Sequence, residues 1–251
     1  ETESPLFVAP PGRWDRRARL RVRLGGGALA AAERLAVLSG ANVAAIGDGS
    51  SDRWEVFQFA DAALVGENLW ELSMLLRGQA GSDALMPPDW PAGSRFVLID
   101  RSLEQIALPL SARNLAREYR IGPAERPHDD PVFVGVTQAF AGVGLRPLSP
   151  VHLRLAGVPG GDLDLTWVRR TRIDGDSWES VEVPLGEERE AYLVRVIKDG
   201  AIRREAEVAA PGFTYSAAMQ AADGVVAPFD LAVAQVSQAF GPGLFARRAA
   251  G

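Results

Sequence analysis

The sequence contains no cysteine, only two histidines and a single lysine. Without cysteine the chain can form neither a disulfide framework nor a thiolate zinc site, and synthesis in a reducing cytoplasm fits that composition. No run approaches the roughly 20 apolar residues that a membrane span requires, and residues 1–30 lack the apolar stretch of a signal peptide. The sequence therefore predicts a chain without a transmembrane segment, assembled in the cytoplasm. It begins at Glu1 and not at methionine, which suggests a segment of a longer protein.

The shortage of histidine argues against nucleophilic catalysis that depends on a histidine base. His152 alternates onto the outward side of its strand, and no Gly-x-Ser-x-Gly elbow occurs. The run His128-Asp129-Asp130 offers metal ligands or an acid/base pair, but adjacent side chains point in different directions and the flanking prolines indicate a surface turn. The sequence predicts no metal site and no catalytic residue here.

Carboxylates leave one enzymatic alternative open, because a glycosidase needs only two of them facing each other. The candidate pairs all stand in turn contexts, where short polar side chains close the backbone. They are Asp48 with Asp52, Asp61 with Glu67, and Asp174 with Asp176. Turn chemistry explains them, and the prediction is that the chain is not an enzyme.

Residues 25–30, Gly-Gly-Gly-Ala-Leu-Ala, formally fit the G-x-G-x-x-A fingerprint of dinucleotide binding, with Asp48 at a suitable distance downstream. The first strand of such a site lies in a parallel sheet and is apolar on both faces, whereas the strand before this loop carries arginine at every second position. No βαβ unit follows. We expect a plain loop and no cofactor.

The overall composition is that of a folded chain. Its 251 residues suffice for two domains, with 47% hydrophobic and 24% charged residues. The net charge of -5 gives no long-range attraction for phosphate backbones. The most basic stretch, residues 16–23, alternates Arg19, Arg21 and Arg23 with apolar residues, which is typical of a strand with one solvated face. No nucleic-acid partner is expected.

Apolar and polar residues alternate along many segments of the chain, which predicts an all-β fold. Short helices are predicted at Ala28–Leu38 and around Ser111–Glu118, and a helical turn is predicted at Ala217–Ala222. Between Gly142 and Pro150, two glycines, which leave the backbone free to turn, are followed by two prolines, which favour an extended chain. This pattern indicates a domain boundary. The predicted domains are a β-rich domain over residues 1–146 and a second β domain over residues 147–251.

The second domain resembles a fibronectin type III domain. Seven short strands follow the boundary, which favours a sandwich. The matching stretches are residues 149–153 for the first strand, 163–167 for the second with its core residue Trp167, 191–196 for the third, and 229–243 for the last hairpin. The sequence departs from that pattern at Phe229, where a tyrosine is usual.

The first domain carries the more specific resemblance. Residues 70–86 run from a half-buried strand into Leu-Leu-Arg-Gly-Gln-Ala-Gly-Ser-Asp, and the likeness extends back to residues 57–65 and forward to 96–100. This pattern resembles tail-tip proteins of bacteriophages, where threonine is usual in place of Ser82. It is similar to the C-terminal part of the large "megatron" baseplate proteins of gene transfer agents and of host-specificity proteins of the lambda tail-tip type.

The six tryptophans include candidates for a sugar-stacking platform. Alternation places Trp70 and Trp167 on core faces. Trp14, Trp90 and Trp178 lie in polar or proline-rich surroundings and are the predicted surface-binding residues.

The resemblance implies a structural and adhesive role in the baseplate or tail tip of a phage-like particle. Its implied partners are other tail and baseplate proteins, further copies of the chain in a homotrimer, and bacterial surface polysaccharide. Two alternatives stay open at this point. One is a carbohydrate-binding module of a particle-borne or secreted polysaccharide hydrolase, and the other is an enzyme that uses paired carboxylates.

Overall fold

The computed structural model describes residues 1–50, 52–158, 160–175 and 183–251. The chain forms two compact units, Glu1–Pro109 and Leu110–Gly251. The predicted boundary after residue 146 lies inside the second unit, just before its sandwich strands, and stays a prediction.

The first unit is built around one antiparallel sheet and a short helix. Its elements are β1 (Leu6–Phe7), β2 (Trp14–Asp15), β3 (Leu20–Arg23), α1 (Arg34–Leu38), β4 (Val43–Gly47), β5 (Trp54–Gly66), β6 (Leu69–Gln79), β7 (Asp89–Trp90) and β8 (Arg95–Leu98). The strand order is β2-β6-β5-β4-β8, with β3 also paired to β6, while β1 and β7 form a separate two-stranded ladder. The long β5–β6 hairpin therefore organises the unit.

Burial in the first unit follows the alternation in the sequence. In β3, Leu20 and Val22 are fully buried, whereas Arg21 and Arg23 are exposed. These apolar side chains join Phe57, Phe59 and others in one core cluster. The predicted strand with one solvated face is confirmed.

The two helices predicted in the first 120 residues are largely wrong. The first is confined to α1, because the backbone N–H of Ala32 pairs with the carbonyl of Ala60 at 2.8 Å and is lost to the helix. The second is a single 3₁₀ turn at Leu110–Ala112. There Asn114 adopts a left-handed conformation (φ 59°) and donates its N–H to Phe140 at 2.9 Å, which ends any helix.

The second unit contains a two-stranded hairpin and a β-sandwich. Its elements are β9 (Arg117–Ile121), β10 (Val134–Gln138), β11 (Val151–Gly157), β12 (Leu163–Val168), β13 (Tyr192–Lys198), β14 (Ala201–Val208), β15 (Gly212–Tyr215), α2 (Ala217–Asp223), β16 (Phe229–Ser237), β17 (Gly241–Pro242) and β18 (Ala246–Ala250). One sheet has the order β11-β12-β15, and the other has β14-β13-β16, with β18 and the short β17 also paired to β16.

The sandwich core is shared by both of its sheets. It includes Leu163, Leu165 and Trp167 from one sheet, together with Tyr192 and Leu231 from the other. The rings of Trp167 and Tyr192 meet edge-to-face with centroids 5.1 Å apart, a favoured aromatic geometry. The all-β fold class with a fibronectin type III-like sandwich in its C-terminal half is confirmed, and so is the core position of Trp167.

Candidate functional site

The Leu-Leu-Arg-Gly-Gln stretch places a charged residue inside the first unit. Arg77 is fully buried and forms a bidentate pair with Glu55, which is equally buried. Its Nε donates to Oε1 of Glu55 at 2.6 Å, and its Nη2 donates to Oε2 at 2.7 Å. Its Nη1 donates to the carbonyl of Phe7 at 2.7 Å. The arginine thus joins β6, β5 and β1.

Further donors complete the shell around Glu55. The indole N–H of Trp90 donates to Oε2 at 2.8 Å, and the backbone N–H of Gly78 donates to Oε1 at 3.2 Å. A buried charge is tolerated when its remaining lone pairs are satisfied in this way. Trp90 is only 2% exposed, so its prediction as a surface residue is wrong. The reason is that β7 pairs with β1 from the distant N-terminus, Trp90 opposite Leu6, and this pairing covers the indole.

In the turn after Arg77, the structure explains the glycine at residue 78 and the serine at residue 82. Gly78 has φ +61°, and a Cβ at this residue would lie 2.8 Å from the Cα of Asp83. The hydroxyl of Ser82 donates to the carbonyl of Gln79 at 2.7 Å and accepts the N–H of Val56 at 2.8 Å. The motif therefore builds a buried junction and a tight turn, and it leaves no open cleft at the arginine.

The two remaining predicted surface tryptophans are Trp14 and Trp178. Trp14 lies on β2, is partly buried and packs against the small cluster of Val37, Ala60 and Leu76. Trp178 lies outside the described residues. A binding role for Trp14 and Trp178 stays a prediction.

Asp48 and Asp61, two of the carboxylates weighed as catalytic residues, have hydrogen-bond partners nearby. Asp48 accepts the backbone N–H of Ser50 at 2.9 Å and lies 3.2 Å from Nη1 of Arg53. Hydrogen bonds from Ser50 lower the pKa of the Asp48 carboxyl. Asp61 lies inside β5, so its predicted turn position is wrong, and it accepts the hydroxyl of Ser73 on the paired strand β6 at 3.2 Å. Asp176 lies outside the described residues.

Two side chains of the predicted turn at residues 127–131 also contact residues close by in the sequence. The Asp130 carboxylate accepts the N–H of Val132 at 2.9 Å, and the ring of His128 packs edge-on against Phe133. Across the part of the chain that the structure describes, no three histidine, aspartate or glutamate side chains are grouped so that they could hold a metal ion.

Exposed apolar side chains concentrate in the hairpin region of the second unit. Seven large ones lie between residues 110 and 143, namely Leu110, Leu115, Ile121, Val132, Val134, Val136 and Val143. Large exposed apolar patches are typical of interaction sites. This segment is the best candidate for an assembly surface.

The β9–β10 hairpin presents a distinct apolar face. Ile121 lies opposite Val134, and Tyr119 lies opposite Val136, so these four side chains share one side of the ladder. Ile121 is 62% exposed and Val134 is 61% exposed. Among the described strands, β9 and β10 pair only with each other, so each keeps one free edge. A lone two-stranded hairpin is marginally stable in water, and free edges favour pairing with another chain.

One arginine fastens the base of this hairpin region to the sandwich. Arg113 donates to the carbonyls of Ala239 and Phe240, the latter at 3.3 Å, and its guanidinium lies 4.9 Å from the centroid of the Phe240 ring. The hairpin is thus held at its base while its apolar face remains in solvent.

Comparison with known proteins gives one family match. The family model described as "Rcc01698-like, C-terminal" matches residues 1–97, which is most of the first unit. No curated protein sequence matches the chain. None of the helices in the described ranges is long and apolar enough to cross a membrane.

Several solved structures are similar in part. One is described as "Structure of FN3tt mut", at 16% identity, covering 42% of this chain and 94% of that one, with a TM-score of 0.28. Domains d3–d4 of the rat CD45 extracellular region match at 8% identity over 60% of this chain and 72% of that one, with a TM-score of 0.29. The FN1–FN3 domains of chicken CNTN1 match at 12% identity over 99% of this chain and 64% of that one, also with a TM-score of 0.29. The fold assignment depends on the strand order described above. The family match and the fold are compatible with a structural or adhesive role.

Proposed function

We propose that this chain is a structural and adhesive segment of a phage-like tail tip or baseplate, of the gene transfer agent or siphophage type. It acts without catalysis of its own, in several copies about the tail axis, as a homotrimer within the particle. It helps to assemble the tip and to position the particle on a bacterial envelope. Assembly takes place in the bacterial cytoplasm.

The observation that carries this proposal is the exposed apolar face of the β9–β10 hairpin. Ile121 and Val134 have no covering residues among those described, and both hairpin edges are free. Assembly with further copies would bury this face and pair the edges. The tail-tip resemblance of residues 57–100 and the family match over residues 1–97 support the same reading. Repeated copies also give avidity to weak contacts with a cell surface.

Assembly of particles with altered hairpin faces tests the proposal. Particles are produced with Ile121→Asp and Val134→Asp in this segment, and the control carries Ile202→Asp, because Ile202 is a similarly exposed isoleucine on β14. We expect the hairpin variants to lose intact tips and adsorption to cells, while the control keeps both. Normal tips in the hairpin variants, or absence of the segment from purified particles, would overturn the proposal.

A further inference from the structure

A groove of about 500 Å³ lies at the surface of the first unit, between residues 5–10 and residues 15–19. One wall is apolar and includes Phe7 and Val8, which are 66% and 54% exposed. The other wall carries Arg17 and Arg19, both exposed. The groove therefore combines an accessible aromatic ring with two guanidinium groups.

The arginines at this groove lack carboxylate partners of their own. Within the described residues, no carboxylate oxygen lies within 4 Å of the guanidinium of Arg13, Arg16, Arg17 or Arg19. By contrast, their neighbours on β3 are neutralised, Arg21 by Glu71 at 3.0 Å and Arg23 by Glu3. The result is a local positive surface in a chain whose net charge is -5.

The one acidic residue that lines the groove is already engaged. Oδ1 of Asp15 accepts the backbone N–H groups of Arg17 and Ala18, each at 3.1 Å. Its Oδ2 lies 4.0 Å from Nη1 of the buried Arg77. Asp15 therefore shapes the turn that presents Arg17 and does not compete for the exposed guanidinium groups.

Two backbone groups at the groove are also engaged, which disfavours a ligand that adds as a strand along β1. The Phe7 carbonyl accepts Nη1 of Arg77, and the Val8 N–H donates to Pro88 at 2.9 Å. A polypeptide adding as a strand would need such groups free. The exposed side chains offer guanidinium groups that fit carboxylates and an aromatic face that fits the apolar side of a pyranose ring.

We propose that this groove binds a carboxylated polysaccharide, with Arg17 and Arg19 on its carboxylates and Phe7 against a sugar ring. This inference rests on the adhesive part of the proposed function and names the chemistry of the surface it recognises. Nη1 of Arg19 already donates to the carbonyl of Ala18 at 2.8 Å and to that of Arg16 at 3.0 Å, so its guanidinium is held in place before the ligand arrives.

The test is a titration of the purified chain with polygalacturonate, alongside neutral dextran, polyglutamate and duplex DNA. We expect binding of polygalacturonate that weakens with salt, and none of dextran. Arg17→Gln should weaken binding about tenfold, because it removes a charge-assisted pair. Arg17→Lys should recover only part of the loss, because lysine cannot form the bidentate fork. Phe7→Ala should weaken binding with the charge unchanged.

The matched control is Arg203→Gln. Arg203 is exposed on β14 and has no carboxylate within 4 Å in the described part of the chain, so its loss should leave the affinity unchanged. Equal weakening by both variants would indicate general charge attraction and overturn the site. Absence of binding, or preference for polyglutamate or DNA, would overturn the ligand class. Either failure leaves the proposed function standing if the segment is still found in particle tips.

Discussion

Arg77 and Glu55 form a bidentate ion pair in which neither side chain is exposed to solvent. Three strands and the indole of Trp90 meet at this pair. The most recognisable stretch of the sequence, residues 70–86, therefore stabilises the fold of the first unit. The candidate surfaces for partners lie elsewhere.

Removing one partner of this pair should destabilise the first unit strongly. Arg77→Met leaves the Glu55 carboxylate buried without its counter-ion, and we expect a loss of about 3–5 kcal/mol in the free energy of unfolding. Urea denaturation followed by tryptophan fluorescence measures it. Arg21→Met is the control, because its pair with Glu71 is solvent-exposed and should contribute less than about 1 kcal/mol. Similar losses in both variants would contradict the structural role of Arg77.

The turn after the arginine should not accept a side chain. Gly78→Ala forces a left-handed residue with a Cβ 2.8 Å from the Cα of Asp83, so we expect a loss of about 1–3 kcal/mol or more. Gly25→Ala serves as the control, because its added Cβ meets nothing within 4 Å. An unchanged free energy of unfolding for Gly78→Ala would contradict a left-handed, closely packed residue at this turn.

Trp90 should matter for stability and not for sugar binding. Trp90→Phe keeps most of the ring but removes the 2.8 Å donor to Glu55, which should cost about 1–3 kcal/mol. Because the residue is 2% exposed, polygalacturonate binding of the folded variant should be unchanged. Lost binding with unchanged stability is the outcome that would restore Trp90 as a surface residue.

Lowering the pH should destabilise the sandwich because it protonates Asp223. Arg204 donates to its two oxygens at 2.7 and 2.9 Å, and Tyr215 donates to one of them at 2.8 Å. The hydrogen bonds from Arg204, and then from Tyr215, lower the pKa of Asp223 in the folded state. A lowered folded-state pKa gives stability that is present above the unfolded value of about 3.9 and is lost as pH falls through the folded value.

The corresponding measurement is the urea midpoint of the second unit between pH 6 and pH 2. The urea midpoint of the wild type should decrease below about pH 4. The midpoint of Asp223→Asn should be lower at neutral pH and should change less over the acidic range. Asp199→Asn, in the exposed turn between β13 and β14, should follow the wild type. Parallel curves for wild type and Asp223→Asn would refute the assignment.

Local pattern was enough to predict which face of several strands is buried. Alternation correctly placed Leu20, Val22 and Trp167 in the core, because the faces of a strand are set by its own period of two. Local pattern failed where pairing with a distant segment of the chain decides whether a side chain is buried. Trp90 stands among prolines, yet pairing with β1 buries it.

The buried pair itself was missed for a related reason. A charged residue inside an apolar strand is ambiguous until its partner is known, and Glu55 lies 22 residues before Arg77. The available signal was that each interrupts a strand that is otherwise largely apolar. The sequence pattern around Arg17 and Arg19 predicts only a solvated strand face and no groove. It does not show which arginines have carboxylate partners. In the structure, Glu71 and Glu3 neutralise Arg21 and Arg23 but leave Arg17 and Arg19 unpaired.

The most direct test of the central claim is imaging of an intact phage-like particle that carries this segment, at a resolution that traces β-strands. The proposal predicts density for both units at the tail tip, in several copies about the tail axis, with the β9–β10 face buried against a neighbouring copy. Density for the segment elsewhere in the particle, or a tip that lacks it, would contradict the proposal.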